Sequence, residues 1–168
     1  MTRELVALGL DPGLATTGYG VVRLERGGWE AVAGGVIETE KGAPRAQRLA
    51  EIYREVRALI ATYNPIGVAV EEIYLARNAR TAMGTAETRG VILMATLGTP
   101  VRGYTPLQVK KRITGYGKAN KLQVQATIRQ LLHLAEIPKP DDMADGLALA
   151  LCYLLDMTGV RWEEHAYL

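Results

Sequence analysis

Near its N-terminus the chain reads Leu8-Gly9-Leu10-Asp11-Pro12-Gly13, an apolar strand that ends in a carboxylate and a turn. Proline and glycine interrupt the hydrogen-bond ladder of a sheet, so the strand predicted over residues 4–10 ends at this point. A carboxylate is rarely buried in a protein unless it is paired or binds a metal ion. Asp11 therefore marks one end of the predicted strand as a candidate functional position.

Two further stretches place carboxylates beside apolar runs. The first is Val68-Ala69-Val70-Glu71-Glu72-Ile73, in which a buried strand is followed by two acids. The second is Asp141-Asp142-Met143-Ala144-Asp145, which leads into a strongly apolar helix. Three such places, far apart in sequence, can converge in a fold as one oxygen-rich site for a hard cation.

The remaining pattern predicts an α/β protein that opens with an antiparallel meander. Strands are predicted over 4–10, 19–24 and 29–38, with a two-residue hairpin turn at Gly27-Gly28. Apolar residues at helical or strand spacing then predict a helix over 45–63, a strand over 66–70, a helix over 79–97, a strand over 101–104 and helices over 106–113, 121–134 and 142–157. We expect a mixed five-stranded sheet flanked by helices.

Composition places this sheet in a soluble class of protein. The chain has 168 residues, 48% of them hydrophobic, and these values suit one domain, expected over residues 1–158 with a C-terminal tail over 159–168. No apolar run reaches the ~18 residues of a membrane span. The lone cysteine, Cys152, excludes a disulfide framework and is expected in the core. We therefore expect a cytoplasmic protein.

Basic residues are concentrated in one part of the chain. Residues 77–129 contain ten lysines and arginines and one acid, Glu87, which gives that segment a net charge of +9 against −7 for the rest. A one-sided basic segment in a protein with a net charge of only +2 indicates a polyanionic partner, and nucleic acid is the favoured one.

Spacing does not settle which acids would act together. Asp142 and Asp145 are three residues apart and share a helix face, but Asp141 could share it as well, and it is also a plausible N-cap of the last helix. Glu71 and Glu72 point to opposite sides of their strand, and both sides of that strand are apolar. Mg²⁺ is the expected cation, because it prefers carboxylate oxygens and keeps waters that substrate can replace. Two such ions roughly 3.5–4 Å apart can assist hydrolysis of a phosphodiester, so the acids and the basic segment together predict a nuclease.

The chain resembles the RuvC family of Holliday junction resolvases over essentially its whole length. The resemblance rests on seven segments in this order: Gly9-Leu10-Asp11-Pro12-Gly13, Thr17-Gly18-Tyr19-Gly20, Ala69-Val70-Glu71-Glu72, Ala76-Arg77-Asn78, Gln108-Val109-Lys110, Lys121-Leu122-Gln123-Val124-Gln125, and Asp142-Met143-Ala144-Asp145-Gly146-Leu147-Ala148. It implies an RNase H-like fold and a homodimer that cuts two opposed strands of a four-way DNA junction with Mg²⁺ or Mn²⁺. It also implies a RuvA–RuvB branch-migration complex as a partner.

The resemblance assigns roles to individual residues. The catalytic and metal-binding set that it implies is Asp11, Glu71, Asp142 and Asp145, which leaves Glu72 and Asp141 as neighbours. Lys110 and Lys121 match basic positions near the scissile phosphate, and Tyr74 stands where the family places an aromatic residue that stacks at the junction. Further candidate DNA contacts are Arg77, Arg80, Arg89, Lys111 and Lys118.

We therefore expect a crossover junction endodeoxyribonuclease that acts in DNA recombination and repair. Two other functions remain open on the sequence. An ATP-binding phosphotransferase of the actin and sugar-kinase type also begins with an acid-ended strand and a Gly/Thr-rich turn, here residues 11–18, although 168 residues provide only one such domain. A junction-binding protein without catalysis would need no metal. We expect the helix over 79–97 to form the dimer contact, because it carries Met83, Val91, Leu93 and Met94.

Overall fold

A computed structural model describes residues 4–26, 28–72 and 79–160 of the chain. The strands are β1 (Leu5–Asp11), β2 (Thr16–Glu25), β3 (Gly28–Glu38), β4 (Gly67–Glu71) and β5 (Val101–Tyr104). The helices are α1 (Arg45–Tyr63), α2 (Ala79–Ala95), α3 (Pro106–Thr114), α4 (Lys121–Leu131) and α5 (Asp141–Thr158). Every predicted helix and strand is therefore present, with ends that differ by zero to three residues.

The strands form one mixed sheet in the order β3-β2-β1-β4-β5. The first three strands pair antiparallel, as the meander predicts, whereas β1 pairs with β4 and β4 pairs with β5 in parallel. The parallel pairs are joined through helices, which is the connection that parallel strands require. The central position of β1 places its C-terminal end, where Asp11 lies, beside the end of β4.

Helices cover both faces of this sheet. Leu8, Leu10, Val68 and Val70 pack with α1 and α2 on one face. Ala7 and Ala69 belong to the core on the other face, where α3, α4 and α5 lie. Since successive side chains of a strand alternate between the faces, this division fixes the direction of every strand residue near the site.

The helix α5 is the centre of the second core. Its side chains from Leu147 to Leu155 are buried without interruption, and Cys152 is among them, as predicted. A helix that is apolar on all sides must be covered on all sides. Here the sheet covers one side, and α3 and α4 cover the rest.

Local details of two predictions are wrong. Gly28 pairs with Glu25 and is the first residue of β3, with φ 117°, so it is not a turn residue; Gly27 lies outside the described residues. Asp141 is the first residue of α5 and not its N-cap, which is Pro140, and no side chain caps this helix. The first turn of α5 therefore carries its acids beside backbone N–H groups that no described side chain caps.

Candidate active site

Asp11 and Glu71 lie side by side at the ends of two parallel strands. Leu10 pairs with Val70, so the next residue on each strand falls in the same row. Ala69 faces α5, so by the alternation of the strand Glu71 faces α5 as well, and the same holds for Ala7 and Asp11. Glu72 follows the end of β4, where its N–H donates to the carbonyl of Tyr104. The choice between the two glutamates, which the sequence leaves open, is thus made by the register of the sheet.

Glycines let α5 approach these strand ends very closely. A Cβ atom on Gly18 would lie 2.0 Å from the carbonyl oxygen of Asp142, and one on Gly9 would lie 2.0 Å from that of Gly146. Any side chain at these positions would push the helix away from the sheet. The close contact brings the first turn of α5, with Asp142 and Asp145, to the end of β1.

The four predicted carboxylates come together at this place. One oxygen each of Asp11, Asp142 and Asp145 lies within 4.8 Å of the other two. The carboxyl of Glu71 shares a hydrogen bond with that of Asp11. All four side chains are half-buried, so they face a cleft and remain open to solvent. The arrangement offers several oxygen ligands, which is the donor set that Mg²⁺ and Mn²⁺ prefer.

Burial and mutual repulsion make these carboxyls reluctant to ionise. Burial, the charges of Glu71 and Asp142 and a proton shared with Glu71 raise the pKa of Asp11 to about 8. Burial and the charge of Asp11 raise the pKa of Asp145 to about 6, and burial also raises that of Glu71. Like charges in one site produce such shifts when no cation compensates them. The cluster is therefore electrostatically prepared for a cation.

Lys121, the first residue of α4, is paired with acids at the edge of the cluster. Its Nζ lies 3.0 Å from Oδ2 of Asp141 and 3.7 Å from Oδ2 of Asp145. Its hydrogen bond lowers the pKa of Asp141. Asp141 is therefore engaged by a lysine, while Asp142, the alternative that spacing left open, joins Asp11 and Asp145.

A cavity of about 230 Å³ adjoins the acids between α3, α4 and α5. Glu71, Asp145, Lys110 and Lys121 line it together with apolar side chains such as Val109. Lys110 and Lys121 thus line the same cavity as two of the acids, from two different helices. A phosphate bound at the acids would lie within the field of both ammonium groups.

The other predicted DNA contacts are more scattered. Lys111 and Lys118 are exposed on α3 and in the connection to α4. Arg80 is exposed and Arg89 is half-buried, and both lie on α2, which packs against the opposite face of the sheet. Tyr74 and Arg77 lie outside the described residues. The four described positions, Lys111, Lys118, Arg80 and Arg89, are not among the residues that line the cavity beside the acids.

Two features of the site escape sequence reasoning. The close packing of α5 against the sheet depends on Gly9 and Gly18. These glycines could have indicated it, because glycine is unusual inside apolar strands and often marks the close approach of another backbone. The second feature is a hydrogen bond from Nε2 of Gln125 to Oδ1 of Asp141, which links α4 to α5 at 3.1 Å. No spacing rule joins residues sixteen apart on two different helices, so nothing in the sequence predicts this bond.

Comparisons with known proteins agree with this geometry. The family described as "Crossover junction endodeoxyribonuclease RuvC" matches residues 7–153. A protein of that name from Syntrophomonas wolfei is 51% identical over 149 residues, which are 88% of this chain and 87% of the relative. Another from Caldicellulosiruptor saccharolyticus is 43% identical over 160 residues, 94% of this chain and 96% of the relative.

Solved structures give the same answer. The RuvC of Thermus thermophilus in complex with a Holliday junction substrate is 33% identical, superposes with a TM-score of 0.87 and covers 94% of this chain and 98% of its own. The yeast mitochondrial resolvase Ydc2, at 14% identity and a TM-score of 0.65, shares the fold. The predicted RNase H-like sheet is thereby confirmed. This chain belongs to the RuvC family of crossover junction endodeoxyribonucleases.

Proposed function

We propose that this protein is a metal-dependent endonuclease that resolves four-way DNA junctions by paired, symmetric nicks in opposed strands. The observation that carries the proposal is the group of acids at the ends of β1, β4 and α5, in which oxygens of Asp11, Asp142 and Asp145 lie within 4.8 Å of one another. Its family relatives bear the name of this activity. A phosphotransferase is not favoured by these relatives.

The residues at this site fit a pair of divalent cations. Asp11, Glu71, Asp142 and Asp145 would hold two Mg²⁺ ions, for which Mn²⁺ can substitute. Three of these carboxyls have raised pKa values in the absence of a cation, and bound ions would compensate that repulsion. When bound, such ions supply Lewis acidity toward a phosphodiester.

The chain's own residues would bind and orient the DNA strand. Lys110 and Lys121 line the cavity beside the acids, and we assign them to the scissile phosphate. Their charges would hold the phosphate against the carboxylates, which alone would repel it. Further phosphate contacts are assigned to Lys111, Lys118, Arg77, Arg80 and Arg89. We assign base stacking at the junction to Tyr74, because an aromatic face stacks on any base.

A homodimer would provide the second active site. The helix α2 exposes Met83, Leu93 and Met94, and Leu97 just beyond it is 84% exposed. Exposed apolar groups of this size on one helix are typical of an interface. A four-way junction is close to two-fold symmetric, so a C₂ dimer would present two equivalent sites to it.

A charged residue at Met94 should convert the dimer to a monomer in sedimentation experiments.

The same proposal covers the cellular setting. We assign residues 1–158 to a single nuclease domain and 159–168 to a tail. Within the described residues, no helix has the length and apolarity to cross a membrane. We propose that the protein works in the cytoplasm during DNA recombination and repair, together with a RuvA–RuvB branch-migration complex.

Cleavage of a synthetic, mobile four-way junction tests this function. The junction and a linear duplex of the same sequence are incubated with protein and Mg²⁺, Mn²⁺ or a chelator. We expect symmetric nicks in the junction only, with 5′-phosphate ends that ligase can seal, and no cutting with the chelator. Equal cutting of the duplex would contradict structure selectivity, and junction binding without cutting under all conditions would favour a non-catalytic binding protein.

A further inference from the structure

Lys121 is held in place by more than its own helix. Its Nζ lies 3.0 Å from Oδ2 of Asp141, and the other oxygen of that carboxyl, Oδ1, accepts a hydrogen bond from Nε2 of Gln125 at 3.1 Å. Asp141 thus has one oxygen for each partner. Lys121 and Gln125 are four residues apart on α4, so they reach Asp141 from the same helix face, one turn apart.

Gln125 makes this link stiff. Gln125 is only 5% exposed, and leaving its buried side-chain amide without a hydrogen-bond partner would destabilise the protein. The bond to Asp141 therefore fixes the direction of an otherwise exposed carboxylate. An exposed ion pair between two flexible side chains contributes little by itself, and here one partner of the pair is already oriented.

The start of α4, where Lys121 lies, is also fixed by a helix cap. Asn120 caps α4: its side chain accepts from the N–H of Gln123 at 2.9 Å, and the side chain of Gln123 accepts from the N–H of Asn120 at 2.8 Å. Lys121 is the next residue after this cap, and Asp141 begins α5. The lysine is therefore tied to the helix that carries Asp142 and Asp145.

We propose that Asp141 and Gln125 are positioning residues that hold the Lys121 ammonium over the active site. This inference rests on the proposed function, in which Lys121 contacts the scissile phosphate. An ammonium has three N–H donors, of which Asp141 takes one and fixes the direction of the other two. Asp141 then acts on cleavage through Lys121 and not as a metal ligand.

Charge and positioning predict opposite effects for Asp141→Asn. Removing a negative charge beside DNA should by itself tighten binding of the junction. If Asp141 positions Lys121, the same change should lower the single-turnover cleavage rate of fully bound junction roughly 5- to 20-fold, because a misplaced group loses rate steeply. Glu136→Gln is the matched control, since it removes one exposed acid in the segment before α5 and should leave the rate unchanged.

The double variant tells an indirect role from a direct one. In a Lys121→Ala background, Asp141→Asn should change the cleavage rate less than twofold, because its only route to the reaction is gone. Losses that multiply in the double variant would mean that Asp141 acts directly on metal or DNA, and the proposal would be overturned. An unchanged rate in the single Asp141→Asn variant would overturn it as well.

A measurement on the free protein separates this proposal from the proposed function. The Lys121 ammonium should give a slowly exchanging ¹H–¹⁵N signal at low temperature and pH 6, assigned by its absence in Lys121→Arg. We expect this signal in wild type and Glu136→Gln, a weaker one in Gln125→Met and none in Asp141→Asn. If Gln125→Met does not fold, Asp141→Asn decides.

The two failures then look different. A wild type that cuts no junction but shows the ammonium signal, with its loss in Asp141→Asn, would refute the proposed function and keep the positioning contact. A signal that is identical in wild type and Asp141→Asn, in a protein that cuts junctions, would refute the positioning role alone.

Discussion

The acids at the two ends of α5 differ in how far neighbouring cationic groups compensate their charge. At the C-terminal end, Asp156 forms ion pairs with Nη1 of Arg102 at 3.0 Å and Nε of Arg112 at 2.8 Å, and it accepts a hydrogen bond from the hydroxyl of Tyr104 at 2.7 Å. At the N-terminal end, the carboxyls of Asp11, Glu71, Asp142 and Asp145 meet. Among the described residues, the one lysine in an ion pair with this group is Lys121, whose Nζ lies 3.7 Å from Oδ2 of Asp145.

Asp156 is an acid whose charge the protein itself compensates, whereas the charges of the N-terminal acids are left largely uncompensated. Two guanidinium groups compensate Asp156 and tie α5 to β5 and α3. The N-terminal acids are left with burial and mutual repulsion, which together raise the pKa of Asp11 to about 8 and that of Asp145 to about 6. A protein tolerates such an arrangement where binding compensates it, and perturbed groups in a cleft are typical of functional sites.

The largest effect is expected from Asp11→Asn. The amide keeps the shape of the side chain but removes the central negative charge, so cation binding and cleavage should fall together. We expect a loss of at least roughly 1,000-fold in the single-turnover rate, with junction binding retained, measured with saturating protein. Asp156→Asn is the control, and it should cut at close to the wild-type rate below its melting temperature. Equal losses in both variants would erase the distinction between the two ends.

Gly18→Ala should give the next largest effect. The new methyl group would lie 2.0 Å from the carbonyl oxygen of Asp142, so the first turn of α5 must shift away from β1. Because displacement of a catalytic group by about 1 Å can cost 10²-fold, we expect cleavage to fall roughly 10- to 100-fold. Gly42→Ala, where a Cβ meets no atom of the described residues within 4 Å, should cleave normally. Normal cleavage by Gly18→Ala would show that the active site does not depend on the close packing of α5 against the sheet.

Asp156→Asn should act on stability alone. The substitution removes the charge that two arginines and Tyr104 share, and charge-assisted hydrogen bonds are worth about 1.5–3 kcal/mol. We expect the free energy of unfolding to fall by about 1–3 kcal/mol in urea titrations. Affinity for Mn²⁺ should not change. An unchanged free energy of unfolding would show that the ion pairs of Asp156 with the two arginines do not stabilise the fold.

The stability of the metal-free protein should also depend on pH. The pKa of Asp11 is about 8 in the folded state and near 4 in an unfolded chain, so the folded state keeps a proton that the unfolded state loses. The resulting stabilisation is complete below about pH 4 and disappears as the pH rises to about 8. With chelator present, the melting temperature should fall steadily between pH 5 and pH 8.5.

Asp11→Asn should flatten this fall and melt above wild type at pH 8.5, because its amide cannot ionise. Asp156→Asn should keep the wild-type slope. A melting temperature of wild type that rises from pH 5 to pH 8.5 would contradict the raised pKa of Asp11.

Most of the fold could be predicted from the sequence, since each helix and strand has its own periodicity. The site could be predicted only in outline. Spacing identifies Asp11 and the two acidic stretches, but choosing Glu71 over Glu72 requires the register between β1 and β4. The pairing of Asp141 with Lys121 depends on a contact between two helices. Such choices depend on tertiary packing, which a local pattern does not contain.

Calorimetric titration of the metal-free protein with Mn²⁺ at pH 8 tests the central claim most directly. Wild type and Asp156→Asn should bind Mn²⁺ with the same affinity, and Asp11→Asn should bind at least roughly tenfold more weakly. This result would show that the acids at the N-terminal end of α5 form the metal site. Equal binding by wild type and Asp11→Asn, or no binding by wild type, would contradict the account.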